Sequence, residues 1–298
     1  MYSLKGRKNE LKNKEKAQVV NSLRHEHDLN TLLEVAGLKR STFYYHIKRF
    51  DIPDKYEKIK EKIKEIYDSS KGRYGYRRIT MSLNSFGFVI NHKTVQKLMK
   101  ELNIICQVRM KKYKSYKGEV GEAAPNLLKR DFSAEKPNQK WVTDITEFSL
   151  FGEKLYLSPI LDLFNGEIIS YSITSRPHFG QVMEMLDIAF EKHKNLEGLT
   201  FHSDQGWQYR HKRYSYRLKQ LGIKQSMSRK GNCLDNSVIE NFFGLLKSEL
   251  LYLQKFDDTD HFKRELIDYI EWYNKYRIKT KLKGLSPIQY RAQSLSVA

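Results

Sequence analysis

Between residues 54 and 69 the apolar side chains Ile59, Ile63, Ile66 and Tyr67 fall on one stripe among charges, the mark of an amphipathic helix. Helical spacing runs through most of the first hundred residues. Short helices are predicted over 14–24 and 29–36, the second followed by Gly37. Ser41 stands where its hydroxyl can accept from first-turn amides, capping a helix over 42–50. After Pro53 the spacing predicts helices over 54–69 and 73–86, the latter entered through Gly72 and Gly75. Asn91 caps another over 92–102, with Val95, Leu98 and Met99 inward and Lys93, Lys97 and Lys100 outward. From Trp141 the period changes. Strands are predicted over 141–148, 154–163 and 167–173, the last two turning at Asn165-Gly166, a type I′ signal. A helix over 181–193, a strand over 199–203, a helix over 209–221 ended by Gly222, a strand over 223–227 and a long helix over 235–250 follow. An aromatic helix over 257–277 and a tail over 282–290 close the chain.

Three strands, helix, strand, helix, strand, helix is the order of a ribonuclease-H-like α/β fold, here a mixed five-stranded sheet flanked by helices. An all-α region precedes it. The expected organisation is a helix-turn-helix region over 1–52, a second helix-turn-helix-like domain over 53–106, a basic linker over 107–134, a catalytic core over 135–252 and a helical tail over 253–298. The helix after Gly37 carries Tyr44, Tyr45, His46, Lys48 and Arg49, with Lys39 and Arg40 just before it; such side chains suit phosphate and base-edge contact. Lys93 and Lys97 give the second domain a comparable face. In the linker, Arg109, Lys111, Lys112, Lys114 and Lys117 alternate with Tyr113 and Tyr116, either to follow a DNA backbone or simply as a solvated stretch.

Charge sharpens that division. Lys plus Arg number 54 against 35 Asp plus Glu, a net +19 that suggests a polyanionic partner, most simply nucleic acid, with a ribosome-associated or merely soluble basic protein as the alternative; the motifs below narrow the partner to double-stranded DNA. Residues 1–130 hold 30 basic and 14 acidic side chains, while 131–298 hold 24 and 21. The excess therefore sits upstream of the α/β region. The two cysteines, Cys106 and Cys233, form no CxxC pair, which argues against a disulfide framework or zinc finger. No apolar run approaches a membrane span and the first twenty residues lack a secretory pattern, so the expectation is a cytoplasmic, nucleoid-associated protein.

Phosphoryl transfer between DNA strands needs a nucleophilic oxygen, an in-line leaving oxygen and neutralisation of developing charge. Two divalent ions, Mg²⁺ or Mn²⁺, can supply these when carboxylates on separate elements converge. Asp144 lies in the strand Trp141-Val142-Thr143-Asp144. Asp204 follows the strand ending His202-Ser203. Glu240 lies in the first turns of the 235–250 helix, with 35 residues between it and Asp204. Lys247, two helical turns beyond Glu240, falls within about 20° of the same face.

These blocks resemble the bacterial insertion-sequence transposases that share the retroviral integrase core and are encoded in two overlapping frames. The resemblance rests on Trp141-Val142-Thr143-Asp144-Ile145-Thr146, His202-Ser203-Asp204-Gln205-Gly206 and Asp235-Asn236-Ser237-Val238-Ile239-Glu240-Asn241-Phe242-Phe243, with the spacing of 35 and Lys247. Gly72-Arg73-Tyr74-Gly75-Tyr76-Arg77-Arg78 and Gly284-Leu285-Ser286-Pro287 resemble the family's upstream and downstream segments. The resemblance implies that Asp144, Asp204 and Glu240 bind metal. It implies cleavage at the element's ends and joining of the freed 3′ hydroxyl to new DNA. It also implies a downstream-frame product, with an upstream-frame partner and a homo-oligomer on DNA. The rival readings are a non-catalytic DNA-binding regulator and a plain nuclease that cuts without joining.

Other positions read more plainly. Asp162 is a supporting or solvated carboxylate, His202 a buried histidine, and Asp235 and Asn236 helix caps. Trp272, Tyr273 and Tyr276 read as core. Arg229 and Lys230, in the loop before the Glu240 helix, either grip DNA or are solvated.

Overall fold

The computed structural model describes residues 13–50, 54–108 and 124–296. The tyrosine-lysine stretch of the expected linker lies outside them. Residues 1–62 and 63–298 form two compact units.

The first unit holds α1 (Asn13–Leu23), α2 (Leu29–Ala36) and α3 (Arg40–Phe50). Ala17, Val20, Leu33, Leu38 and Phe43 make its core. The capping side chain here is Asp28, whose carboxylate accepts from the amides of Asn30 and Thr31 at 2.9 and 3.1 Å. Ser41 does not cap: α3 already begins at Arg40, and Phe43 donates to the carbonyl of Lys39.

Helix α4 (Glu57–Ser69) starts in the first unit and buries Ile63 and Ile66 in the second. There it is followed by α5 (Tyr76–Ser85) and α6 (His92–Glu101). Asn91 caps α6 as expected, accepting from the Lys93 amide at 2.8 Å. Val95, Leu98 and Met99 are buried, whereas Lys93 and Lys97 are exposed.

The α/β region contains β1 (Lys140–Thr143), β2 (Thr146–Leu150), β3 (Glu153–Asp162), β4 (Ile168–Thr174), α7 (Phe179–Lys192), β5 (Thr200–Ser203), α8 (Lys212–Gln220), β6 (Lys224–Met227) and α9 (Ser237–Leu246). Its element order is the ribonuclease-H-like one. Thr143 opposes Ile160 and Thr146 opposes Leu157, so β2 continues β1 in one register along β3. The expected 141–148 strand is thus one line of chain interrupted at Asp144–Ile145. β4 flanks β3 antiparallel, while β5 joins β1 and β6 joins β5 in parallel. Alternation along β1 sends Trp141 to one face and Val142 to the other. The Trp141 face packs on α7 and α8, through Met185, Leu186, Tyr214 and Leu218. The Val142 face packs on α9 and on α10 (Thr259–Lys275), through Phe242, Leu246, Phe262 and Tyr269.

Several expectations change. The β3–β4 connection is not a two-residue type I′ turn, which needs positive φ at both central residues. Only Gly166 adopts it, at 70°; β3 ends at Asp162 and β4 starts at Ile168. The Asn165 amide instead donates to the carbonyl of Pro287 at 2.9 Å, fastening the loop to α11 (Pro287–Ser296). Helix α10, expected as part of a tail, fills one face of the core. Tyr273 is buried there, whereas Tyr276 is exposed. The 235–250 helix is not uniform: a 3-10 turn (Cys233–Asn236) precedes α9, and a π-helical turn (Lys247–Leu251) follows it, closed by Tyr252 donating to Lys247. Among the described residues no helix is long and apolar enough to cross a membrane.

Candidate active site

Parallel pairing of β1 with β5 sets Lys140 against Thr200 and Val142 against His202. Carried two residues further, that register puts Asp144 beside Asp204, each just past its strand's end. Asp144 therefore sits after β1 rather than within a strand. It turns its carboxylate onto the next amide, accepting from Ile145 at 2.7 Å. Asp204 does the same two residues on, accepting from Gly206 at 2.9 Å. A Cβ on Gly206 would lie 3.0 Å from that Asp204 oxygen, so a side chain there would crowd it.

Glu240 arrives from α9. Ile239 and Phe242 bury on the Val142 face, and the Asn236 amide donates to the carbonyl of Thr143 at 3.2 Å, tying the helix start to the end of β1. The three carboxyl groups act on one another. Burial, then the charges of Asp204 and Glu240, push the Asp144 carboxyl well above the usual range. Burial raises Asp204, against the Gly206 amide and Arg210, which lower it. Burial and the Asp204 charge raise Glu240. Hard oxygen donors repelling one another are suited to a divalent cation, which would relieve both repulsion and burial. Among the described residues no three His, Cys, Asp or Glu side chains are drawn together tightly enough to hold an ion. The donor chemistry fits a metal; the side chains stand looser than a closed ligand shell.

The remaining residues singled out in the sequence fall into place around this edge. His202 is fully buried between the hydroxyls of Ser226 and Ser228, at 2.8 and 3.1 Å, and burial pushes it down to about 4. It is neutral at physiological pH. Asp162 ends β3 opposite Trp141, three residues along β3 from the position facing Asp144, and is buried and held by Arg291 at 2.7 Å, so it is neither solvated nor a rival ligand. Lys247 is half-buried, its Nζ 5.6 Å from the centre of the Phe148 ring on β2. Burial lowers its ammonium, with Glu147 acting to raise it. Lys230 is exposed.

Asp235 and Asn236 do not cap. Asn236 spends its amide on Thr143, and its side-chain oxygen is buried without a partner. Asp235 is fully buried and gathers Arg229, Arg130 and Asn126. No local pattern announces this, since Asn126 and Arg130 lie more than a hundred residues upstream. Nor does any local pattern announce what the Gly72–Arg78 segment docks on. Arg73 donates to the carbonyl of Glu249 at 3.0 Å, and Tyr74 donates to the carbonyl of Tyr276 at 2.9 Å, docking the segment on the π turn and the end of α10.

An integrase core domain model matches residues 134–233, a second matches 240–295, and an HTH-like domain model matches 54–112. The chain is 56% identical over 277 residues to transposase InsK of insertion sequence element IS150 from Escherichia coli K12, covering 93% of this chain and 98% of that protein. It is 52% identical over 209 residues to a transposase-like protein of Haemophilus influenzae, covering 70% and 95%. Among solved structures, the HTLV-2 integrase catalytic core in complex with magnesium matches with a TM-score of 0.44 at 18% identity, over 53% of this chain and 99% of that one.

Proposed function

The chain belongs to the insertion-sequence transposases with an integrase core domain, and from that premise we propose that Asp144, Asp204 and Glu240 form its metal-binding catalytic centre. The observation that carries the reading is the β1–β5 register, which brings Asp144 and Asp204 side by side at one sheet edge, with Glu240 acting on Asp144 from α9. Magnesium or manganese, as a pair of ions, supplies charge neutralisation and activation of the attacking oxygen. The carboxylates hold that charge at the edge. Their mutual repulsion keeps them poised for a cation, and Asn236 holds the Thr143 carbonyl so that Asp144 does not drift from its neighbour.

In the first reaction water attacks the phosphorus at an element end and a 3′ hydroxyl leaves. In the second that hydroxyl attacks a target phosphodiester, so one bond forms as one breaks. Neither step needs a histidine base, consistent with His202 being buried between serines. Lys93 and Lys97 on α6, together with Lys230 and Lys247, contact DNA phosphates. Two element ends require two such centres, which a homo-oligomer on DNA supplies. An upstream-frame partner adds to end recognition, and the setting is the bacterial nucleoid.

The test uses a linear DNA fragment carrying the sequences that flank the coding region, incubated with the protein, Mg²⁺ and a plasmid. Nicking at the element boundary and joined products are expected. Asp204→Asn should reduce both by at least about a hundredfold, while binding the same fragment in EDTA with undiminished affinity. Cutting without joining would favour the plain nuclease. Binding without any metal-dependent cutting would favour the regulator.

A further inference from the structure

Asp235 has no exposed surface, yet two arginines reach it from the outside. Arg229 donates to it through Nε and Nη2, both at 2.9 Å, and through its own amide at 3.1 Å. Arg130 donates through Nε at 3.0 Å and sends Nη2 to Asn232 at 3.0 Å. Asn126 closes the group at 2.9 Å. The side chains of Arg130 and Arg229 remain 45% and 58% exposed. Among the described residues neither Nη1 has a hydrogen-bond partner, so each guanidinium is anchored on one flank and presents donors on the other. One buried carboxylate between two arginines, with exposed Lys129 and Lys230 beside them, leaves the group net positive.

The backbone is bent to make it. Lys129 and Arg130 are successive non-glycine residues with φ of 48° and 66°. That conformation costs on the order of 1 kcal/mol per residue and persists only where surroundings over-determine it. The anchors are Leu128 in the core, the Lys129 amide on Asn126 at 2.9 Å, and the Asp235 contacts. The group also stands at the carboxylate edge. Ser203 pairs with Met227, so Asp204 lies beside Ser228, and Arg229 follows directly. Asp235 precedes Glu240 on the same run of chain.

We propose that Arg130 and Arg229, held by Asp235, form a preorganised binding site for a DNA backbone phosphate next to the catalytic edge. The inference rests on the catalytic reading above for what lies beside it, but not for its own chemistry. Fixed guanidinium forks match phosphate oxygens and lose little rotamer freedom on binding. Asp235 acts through the arginines and touches no DNA.

The test measures binding of the full chain to a labelled mixed-sequence duplex in EDTA over a series of salt concentrations. Arg130→Gln and Arg229→Gln should each weaken binding roughly tenfold and lower the log K against log salt slope by about 0.9. Lys263→Gln, exposed on α10, is the comparison. Asp235→Asn gives the sharpest reading, because removing a negative charge near DNA should by itself tighten binding. Loss of the organiser should instead weaken it. If that variant unfolds at a lower temperature, Arg130→Gln, altered at a half-exposed side chain, decides alone. Unchanged affinity and slope in Arg130→Gln, or tighter binding in a folded Asp235→Asn, overturns the site. Asp204→Asn in the same assay separates the two readings: failure of the metal centre alters cutting and leaves these slopes as they are.

Discussion

The helix that carries Glu240 has a buried carboxylate beyond each end, and the two are used in opposite ways. Asp235, before α9, holds two arginines that stay about half exposed. Glu249, in the π turn after α9, is 1% exposed and grips Arg277, which is 3% exposed, through two bonds at 2.6 and 2.7 Å. Tyr269 donates to it at 2.9 Å, and Arg78 stands at 3.7 Å. At the first site the arginines' outward donors face solvent beside the carboxylate edge. At the second, Arg73 covers the Glu249 carbonyl and lies 4.5 Å above Trp272, so the group is sealed. Equal chemistry thus serves two ends. What separates a ligand-facing ion group from a structural one is the exposure of its cations, not the presence of a salt bridge.

The largest expected effect breaks the sealed end. Burial alone would raise the Glu249 carboxyl, but the Arg277 hydrogen bonds and charge bring it below the usual range. A carboxyl lowered in the folded state contributes stability above its unfolded pKa, and loses it as pH falls through the folded value. Glu249→Gln removes that contribution and leaves Arg277 buried beside a neutral amide. The loss should be about 3–5 kcal/mol by denaturant unfolding near neutral pH. The folded fraction should keep the wild-type salt slope for DNA. A variant of unchanged stability with a shallower slope would mean that the two ends had been assigned the wrong way round.

A smaller effect sharpens the same contrast. Lys279 lies beside the sealed group, its Nζ 3.1 Å from the Gly166 carbonyl and 4.6 Å from the Tyr273 ring. Burial, then the charge of Arg277, push it down to about 7. An amine lowered in the folded state is bound by fewer protons there than in the unfolded chain. Stability should therefore rise with pH from about 7 toward the ordinary lysine range. Lys279→Met should flatten that rise in thermal unfolding while leaving DNA binding alone. An unaltered pH profile would show that the ammonium is better solvated than its packing indicates.

This contrast also marks how far the sequence could be read. The element order was legible, and Asp144, Asp204 and Glu240 could be put forward as the candidate trio, because strand period, spacing and motif all belong to short windows. The β1–β5 register then needs only the two strand ends. What was not legible depends on partners far along the chain. Asp235 looks like a cap because caps are local, yet its partners include Arg130, 105 residues away. Gly72–Arg78 is a run of aromatics and arginines until Glu249 and Tyr276 supply carbonyls for it. Helix α10 read as an appendage because its apolar stripe says that it packs, not on what. The interruption at Asp144 is invisible for another reason: an aspartate that accepts from the following amide breaks a ladder without changing the hydrophobic pattern around it.

The smallest expected effect falls between the two ends. Lys247 is the first residue of the π turn, two positions before Glu249, but its ammonium lies over the Phe148 ring on β2 rather than in the sealed group with Arg277. Its ammonium faces the Phe148 ring, a contact worth about 0.5–1 kcal/mol at an exposed site. Glu147 nearby is engaged by Lys154 at 3.1 Å and Tyr156 at 2.9 Å, so it competes weakly for the Lys247 charge. If the DNA-facing surface continues from Arg229 past Glu240 along α9, Lys247 meets a phosphate about two turns, or roughly 10 Å, beyond the carboxylates. Lys247→Ala should then weaken binding of the flanking-DNA fragment severalfold, reduce the salt slope by about one contact and cut end cleavage more than binding. Lys247→Arg should be milder because the charge is kept. Lys263→Ala, on α10, should change neither. Equal small effects at positions 247 and 263 would confine the DNA-facing side of the helix to its first turns, leaving Lys247 as part of the packing over Phe148.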